Sequence, residues 1–256
     1  MSLRNGPGRA TSIVHTDFGA YLNGLTGQQN GNGTLAFFDL DRTLIAGYSV
    51  SALVWARLRS DSVPLRRLLS AAMAFLRYGL GRVDYHELLA TTVRDLGGES
   101  SAKLEALGER AFRERVRGWI YDEARVLVDT HRRAGHHLVM VTSATRFQAA
   151  PVARDLGLDE LCCTEVEEYQ GVITGNARPC FGVGKLAAAE HIARMRRAAM
   201  AHAYFYSDSS DDLPLLEAVG RPVVVNPKPA MARLARARGW PSLMFQPPGG
   251  APPPSA

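Results

Sequence analysis

Short apolar runs alternate with amphipathic segments along most of the chain. The runs are Leu35–Phe38, Leu138–Val141, Tyr204–Tyr206 and Val223–Val225. Apolar runs of this length are typical of strands that are buried on both faces. Segments with helical spacing, such as Glu123–Arg133, lie between them. This alternation predicts a doubly wound parallel sheet, a Rossmann-like α/β core with helices on both faces.

A block without strand signals, residues 49–120, interrupts the alternation after the first strand. Asp84 is suited to begin one of its helices and Ser101 another. An earlier helix is indicated by apolar residues at the three-four spacing, namely Leu65, Leu68, Leu69, Ala72, Met73 and Leu76. The block is therefore predicted to be a helical cap inserted into the core.

The remaining boundaries follow from composition. Residues 1–33 are rich in Gly, Asn, Ser and Thr, which predicts a flexible extension with a short helix around Phe18–Leu25. Residues 246–256 form a proline-rich tail that we expect to be disordered. The core is then formed by residues 34–48 and 121–245. Within it, the stretch through Gly171 and Gly175 is interpreted as turns.

The overall composition is that of a soluble globular protein, with 46% hydrophobic and 21% charged residues. The sequence contains neither a run of 18 apolar residues nor an N-terminal apolar leader, so we expect a cytoplasmic protein. Three cysteines without CxxC spacing, Cys162, Cys163 and Cys180, favour free thiols over a disulfide framework or a zinc site. The sequence indicates no particular oligomeric state.

The net charge of +5 suits an anionic partner. No nucleic-acid reading motif accompanies it, so we expect no nucleic acid, and a phosphorylated small molecule fits equally well. The cap is basic, with six arginines against Asp61 between Tyr48 and Val83. We interpret these arginines as the solvated face of the cap helices. Attraction to an anionic membrane surface is the weaker alternative.

Acids, hydroxyls and one lysine cluster where apolar runs end. Asp39 and Asp41 follow the first run, Thr142 and Ser143 the second, and residues 207–212 the third. Each alone fits a helix cap or a solvated turn. In parallel sheets, however, ligands bind beyond the carboxyl ends of the strands. Together with Lys185, which lies near a helix start, these groups predict a site for a metal ion and a phosphoryl group.

In the same order, these residues resemble the four motifs of the haloacid dehalogenase superfamily. Phe38-Asp39-Leu40-Asp41-Arg42-Thr43-Leu44 resembles the first motif, Asp-x-Asp-x-Thr. The strand ending in Thr142 resembles the second motif and Lys185 the third. Asp208-Ser209-Ser210-Asp211-Asp212 resembles the fourth motif, in which two acids are separated by three residues. A helical cap after the first strand is typical of the phosphoserine phosphatase-like branch, subfamily IB.

The resemblance implies a phosphatase that uses Mg2+ and an aspartyl-phosphate intermediate. Asp39 would attack phosphorus and Asp41 would act as general acid and then general base. Lys185 and the Thr142 hydroxyl would stabilise the phosphoryl oxygens. The Mg2+ ligands would be Asp39, Asp208 and the carbonyl of Asp41.

Further positions are assigned by the same resemblance. Asp212 would either orient the waters on the metal or ligate it directly. Counted back from Pro151 and Gly157, the hydroxyl of the family falls on Thr142. Ser143 would then contribute mainly its backbone N–H to substrate binding. The remaining substrate-binding candidates are Thr43 and Tyr48.

Tyr48 bears on the substrate because phosphoserine-specific enzymes have an acid at that position. Tyrosine provides no full negative charge for an ammonium group, which argues against phosphoserine. Histidinol phosphate and lysophosphatidate are alternatives, since similar domains act as histidinol-phosphate phosphatases or occur joined to lysophospholipid acyltransferases. The expected substrate is a small-molecule phosphomonoester. The alternative functions are a phosphotransferase, a lipid-phosphate phosphatase and a noncatalytic binding module.

Overall fold

A seven-stranded sheet lies at the centre of the computed structural model, which describes residues 16–26, 33–59 and 93–249. The strands run in the order β4-β3-β2-β1-β5-β6-β7, and every neighbouring pair is parallel except β3 with β4. Their bounds are β1 Leu35–Phe38, β2 His137–Thr145, β3 Glu160–Tyr169, β4 Val172–Arg178, β5 Tyr204–Ser207, β6 Arg221–Val225 and β7 Ser242–Leu243.

Eight helices can be numbered in the described ranges. They are α1 Phe18–Thr26, α2 Ser49–Leu58, α3 Ser101–Glu114, α4 Asp122–Arg133, α5 Arg146–Leu156, α6 Val183–Met195, α7 Leu213–Ala218 and α8 Pro229–Ala237. Short 3-10 helices lie at Val116–Trp119, Met200–His202 and Ser210–Asp212. No helix of the described segments is both long enough and apolar enough to cross a membrane.

The central strands are apolar throughout because each face of the sheet has its own core. In β1, Ala36 and Phe38 pack into one cluster with α1, α4 and α5, whereas Leu35 and Phe37 pack into a second cluster with α6, α7 and α8. Successive side chains of a strand point to opposite faces, so a strand between two helical layers needs apolar residues at every position. The predicted doubly wound α/β fold is confirmed.

Several predicted elements are found with small changes in their bounds. The helix predicted at Glu123–Arg133 is α4, and the predicted strand Tyr204–Tyr206 is β5. The second strand was predicted to end at Val141, but β2 continues to Thr145, with irregular pairing to β3 after Val141. Thr142 and Ser143 therefore lie within the last part of a strand and not beyond it.

The interpretation of the region through Gly171 and Gly175 as turns is wrong. It forms an antiparallel hairpin, β3 and β4, with the turn at Gln170 and Gly171. The acidic residues of β3 obscured the strand signal, because the outer part of this strand lies towards the edge of the sheet, where alternate side chains are exposed. Helix α8 and strand β7 were not predicted.

Helix α1 was predicted, but its packing was not. Within the expected flexible extension, it places Leu25 in the core and brings the hydroxyl of Tyr21 to 2.6 Å from that of Tyr206. The Tyr206 hydroxyl also lies 2.7 Å from Nε2 of His131, whose Nδ1 is 2.7 Å from Nδ1 of His136. Burial lowers the pKa of His131 well below its ordinary value, so this chain of hydrogen bonds contains a neutral imidazole.

The described part of the predicted cap consists mainly of α2 and α3. The predicted helix from Ser101 is confirmed as α3, while the helices predicted at residues 65–76 and after Asp84 lie outside the described residues. Helix α3 approaches α5 closely at Gly108, where a Cβ atom would lie 1.9 Å from the carbonyl oxygen of Phe147. A glycine is therefore required at this helix crossing.

Candidate active site

Asp39 lies directly beyond β1, in the middle of the sheet. Its backbone N–H donates to the carbonyl of Tyr206 at 3.0 Å, which continues the pairing of β1 with β5. The residue is 6% exposed. A rigid backbone on a central strand therefore presents a nearly buried carboxylate at the carboxyl edge of the sheet.

Lys185 reaches Asp39 from the first turn of α6. Its ammonium donates to Oδ1 of Asp39 at 2.7 Å and to Oδ2 of Asp212 at 2.8 Å. The lysine is 3% exposed, and Asp212 also accepts a hydrogen bond from the Ser207 hydroxyl at 2.6 Å. One buried cation therefore links the first-motif acid to the last acid of the fourth motif.

Asp41 has a different partner. Its Oδ1 accepts a hydrogen bond of 2.7 Å from the backbone N–H of Ser49, the first residue of α2. Ser49 is buried, and its hydroxyl accepts from the side-chain amide of Gln148 at 3.2 Å. The two first-motif acids are thus held by different elements, Asp39 by the core and Asp41 by the start of the predicted cap.

Asp208, at the end of β5, is paired with Arg42. Nε of Arg42 donates to Oδ2 of Asp208 at 2.9 Å, and both side chains are 11% exposed. Sequence reasoning assigned no role to Arg42, although it lies inside the first motif. Ser49 was missed, and Ser207 was noted among the residues after the third apolar run without a role, because the partners of both are known only from the folded chain.

Burial is the largest influence on the charge of Asp39. Burial raises the pKa of Asp39 to about 7. The charge of Lys185 lowers the pKa, and the nearby carboxylates of Asp212 and Asp208 raise it further. Burial alone would lower the pKa of Lys185, but the two carboxylates raise it above its ordinary value. The lysine is therefore a permanent cation beside an acid that is close to its titration point at neutral pH.

Asp41 and Asp208 also titrate near neutrality. Burial raises the pKa of Asp41 to about 7, against the hydrogen bond from Ser49. Burial likewise raises the pKa of Asp208 to about 6, against the charge of Arg42. The positive charges of the protein are therefore too few to keep these carboxylates fully ionised at neutral pH. A bound cation or a proton would stabilise them.

The phosphoryl- and substrate-binding candidates come from two parts of the chain, Thr43 and Tyr48 after β1 and Thr142 and Ser143 in the last part of β2. Thr142 is 1% exposed, and its Oγ1 accepts from the N–H of Ala144 at 3.2 Å. Thr43 is 1% exposed, and its hydroxyl has no hydrogen-bond partner among the residues described. Tyr48 is 42% exposed at the start of α2, and Ser143 is partly buried in β2.

The oxygen donors fit a hard cation such as Mg2+. Asp39 and Asp208 follow neighbouring strands, and the backbone of Asp41 lies two residues beyond Asp39. In the part of the chain that is described, no group of three His, Cys, Asp or Glu side chains is arranged to hold a metal. Two carboxylates and one carbonyl would need water to complete the coordination of such an ion, and Mg2+ retains water readily.

The comparison with family models identifies the fold. Residues 36–217 match the model of the haloacid dehalogenase-like hydrolases. The chain belongs to this family. Its first-motif acid, its lysine and its fourth-motif acids are the residues that the structure brings together, namely Asp39, Lys185, Asp208 and Asp212.

Curated relatives in this hydrolase family are named as phosphatases. The probable phosphatase Rv3661 of Mycobacterium tuberculosis is 32% identical over 84% of this chain and 76% of its own length. The phosphoserine phosphatase SerB1 of the same organism is 32% identical over 80% of this chain and 68% of its own. The histidinol-phosphatase of Neisseria meningitidis is 31% identical over 83% of this chain and 99% of its own length. The chain is thus a phosphoric monoester hydrolase.

Solved structures agree with this family membership. A protein with unknown function from Bordetella pertussis Tohama I has a TM-score of 0.74 and 32% identity, covering 83% of this chain and 99% of that one. A phospho-aspartyl intermediate analogue of phosphoserine phosphatase has a TM-score of 0.61 at 15% identity, covering 85% and 96%. The second likeness concerns the fold alone.

Proposed function

We propose that the protein is a Mg2+-dependent phosphatase that hydrolyses a small-molecule phosphomonoester through an aspartyl-phosphate on Asp39. The observation that carries this proposal is the buried 2.7 Å contact between the Lys185 ammonium and Oδ1 of Asp39. It holds one carboxylate oxygen and leaves Oδ2, which has no hydrogen bond to the described residues, for attack. A carboxylate oriented in this way is a competent nucleophile.

In the first half of the reaction, Oδ2 of Asp39 forms a bond to phosphorus while the bond from phosphorus to the substrate oxygen breaks. Asp41 gives its proton to the departing oxygen, so that an alcohol leaves. A pKa of about 7 suits this role, because part of the Asp41 population carries a proton at neutral pH.

In the second half, Asp41 acts as a base. It takes a proton from water as the water oxygen bonds to phosphorus, and the phosphorus bond to Asp39 breaks. Inorganic phosphate leaves, Asp39 is again a carboxylate and Asp41 is again protonated. Lys185 keeps its proton throughout, since its pKa is raised by both carboxylates.

The residues that would hold Mg2+ are Asp39 and Asp208 through their carboxylates and Asp41 through its carbonyl. When bound, the ion supplies positive charge that offsets repulsion between the nucleophile and the phosphoryl oxygens. Asp212 is already engaged by Lys185 and Ser207, so we propose that it positions the lysine. Asp212 would then not bind the Mg2+ ion directly.

We propose that hydroxyl and backbone donors after β1 and in β2 bind the phosphoryl oxygens together with Lys185. Thr142 would donate its hydroxyl and Ser143 its backbone N–H. The buried Thr43 hydroxyl has no partner among the described residues, and a bound phosphoryl group would satisfy it. These donors act alike on any phosphomonoester, so the substrate is selected elsewhere.

Tyr48 is the proposed contact to the leaving group. It is 42% exposed and directly precedes Ser49, whose N–H holds Asp41. A phenol in this place pairs poorly with the ammonium group of phosphoserine. A panel of phosphoserine, histidinol phosphate and lysophosphatidate, with release of phosphate as the readout, would rank the substrates.

The mechanism is tested with p-nitrophenyl phosphate in a stopped-flow experiment. Its leaving group departs as a stable anion, so the first half does not depend on the Asp41 proton. Asp41→Asn should therefore give a burst close to one nitrophenolate per active site and then stall, while Asp39→Asn should give no burst. Turnover by Asp39→Asn with an intact fold would refute the covalent step.

The same experiment separates hydrolysis from phosphoryl transfer. In wild-type protein, phosphate should equal nitrophenolate whether or not an alcohol such as glycerol is added. A deficit of phosphate that grows with the alcohol concentration would instead identify a phosphotransferase.

A further inference from the structure

Arg42 has an unusual backbone conformation for its residue type. Its φ angle is +61°, in the left-handed region where glycine is favoured. A side chain at such an angle carries steric strain, which persists when surrounding contacts compensate for it. A glycine would occupy this position without strain, so the contacts of the arginine side chain are what offset the strain.

The side chain contributes a partly buried ion pair with a proposed metal ligand. Nε of Arg42 donates to Oδ2 of Asp208 at 2.9 Å, with both side chains only 11% exposed. Its backbone N–H also donates to the carbonyl of Gly47 at 3.3 Å, so the loop fixes the origin of the side chain. A weakly exposed charge pair of this kind is screened little by solvent.

The other acids of the site have partners of their own. Lys185 binds Asp39 and Asp212, and the N–H of Ser49 binds Asp41. Asp208 is the carboxylate whose partner is the first-motif arginine. The guanidinium thus supplies positive charge to a group that, under the proposed function, receives it from Mg2+.

We propose that Arg42 is a built-in counter-cation of Asp208, which the divalent ion displaces or weakens when it binds. The inference rests on the proposed metal site. Arg42 is then a positioning residue. It holds the Asp208 carboxylate in the site before the metal binds, and it lowers the affinity of the site for the metal. Two cations compete for one carboxylate, so the occupancy of the site depends on the free Mg2+ concentration.

A supporting role for Arg42 would change metal affinity in the opposite direction. If Arg42 mainly orients Asp208 for the ion through Oδ2 and leaves Oδ1 to the metal, its removal weakens binding, as with other groups that support metal ligands. If Arg42 competes, its removal strengthens binding, because a positive charge a few ångströms from the ion is lost. The affinity of the substrate-free protein for a divalent ion distinguishes the two.

The experiment measures Mn2+ binding by electron paramagnetic resonance of the free ion, in wild type and in Arg42→Gln. We expect the dissociation constant to fall by about tenfold in the variant, the effect of removing one partly screened charge. Arg196→Gln is the matched control, since Arg196 binds Glu160 through Nε at 2.8 Å. Glu160 is at the amino end of β3, whereas Asp208 follows the carboxyl end of β5. This control should leave Mn2+ affinity unchanged.

Mn2+ binding by Asp208→Asn distinguishes failure of the Arg42 proposal from failure of the proposed metal site. Loss of Mn2+ binding in this variant would establish Asp208 as a ligand, and an unchanged or weaker affinity in Arg42→Gln would then overturn the inference alone. Absence of Mn2+ binding by wild-type protein would overturn both. If Arg42→Gln does not fold, Arg42→Gly is measured instead, because glycine adopts the φ of +61° without strain.

Discussion

The backbone N–H of Ser49 donates to Oδ1 of Asp41 at 2.7 Å, so the first residue of α2 holds the proposed acid and base. Tyr48, the residue before the helix, makes no side-chain cap. Asp41, eight residues earlier, takes that place, and a carboxylate at a helix N-terminus is favoured by the helix dipole. The position of α2 and the protonation of Asp41 are therefore linked.

Replacing Ser49 with proline should disturb Asp41 while keeping the helix. Proline is accommodated at the first helical position, and Tyr48 before it is already extended at φ −98° and ψ 118°. Loss of the N–H raises the pKa of Asp41 further, so the basic limb of the kcat profile should move to higher pH. We nevertheless expect kcat at neutral pH to fall by about tenfold, because the Asp41 carboxylate loses the charge-assisted hydrogen bond that orients it.

Ser49→Ala is the matched control for this variant. It keeps the N–H and loses the hydroxyl, which accepts from Gln148 at 3.2 Å. Its pH profile should therefore shift less than that of Ser49→Pro. Equal shifts in the two variants would assign the effect to the side chain and contradict the role of the helix N-terminus.

Lys185→Met should destabilise the protein strongly. The variant leaves Asp39 and Asp212 without the cation that lies 2.7 and 2.8 Å from them. Removing one partner from a buried charge cluster costs about 3 to 5 kcal/mol in the free energy of unfolding. Urea denaturation without metal measures this loss.

Lys103→Met on the exposed side of α3 serves as the control and should change the free energy of unfolding by less than about 0.5 kcal/mol. If the two methionine variants had the same stability, the proposed charge balance of the site would be wrong.

Mg2+ should stabilise the protein more at pH 8 than at pH 5.5. The folded-state pKa values of Asp39 and Asp208, about 7 and about 6, lie above the ordinary value of 3.8. These groups therefore favour the folded state when protonated, and that stability is lost as the pH rises from 3.8 through the folded-state pKa values of about 6 and about 7. Mg2+ binds the deprotonated acids and restores stability where it was lost.

Thermal unfolding with and without saturating Mg2+ measures this effect. We expect Mg2+ to raise Tm by about 5 °C or more at pH 8 and by much less at pH 5.5. His131 contributes with the opposite sign, since its lowered pKa removes stability below about pH 6.5. The His131 contribution is the same with and without Mg2+. The change in Tm on adding Mg2+ therefore reports on the acids alone. A difference independent of pH would contradict the assignment.

Gly108→Ala should weaken the packing of α3 on α5. The added Cβ would lie 1.9 Å from the backbone carbonyl of Phe147, so the two helices must separate. Such overpacking costs about 2 kcal/mol in the free energy of unfolding. Gly118→Ala is the control, because no atom lies within 4 Å of its Cβ position. Equal stability of the two variants would mean that the helices are not in firm contact.

The sheet and the order of the site residues could be predicted from the sequence because both depend on local patterns. Leu35–Phe38 is apolar at every position since α1 and α6 lie on opposite faces of β1. The hairpin of β3 and β4 could not be found this way. Its outer residues pair with each other and partly face solvent, so the apolar signal that identifies a buried strand is absent.

The sequence by itself determined which groups the chain could bring to the carboxyl edge of the sheet, because strand ends and their polar residues are encoded locally. Only the tertiary structure decided how those groups pair. Lys185 contacts an acid 146 residues away and another 27 residues away, and Arg42 contacts one 166 residues away. Such pairs depend on strand order, helix packing and the conformation of the Arg42 backbone, and burial then decides the charge that each group carries.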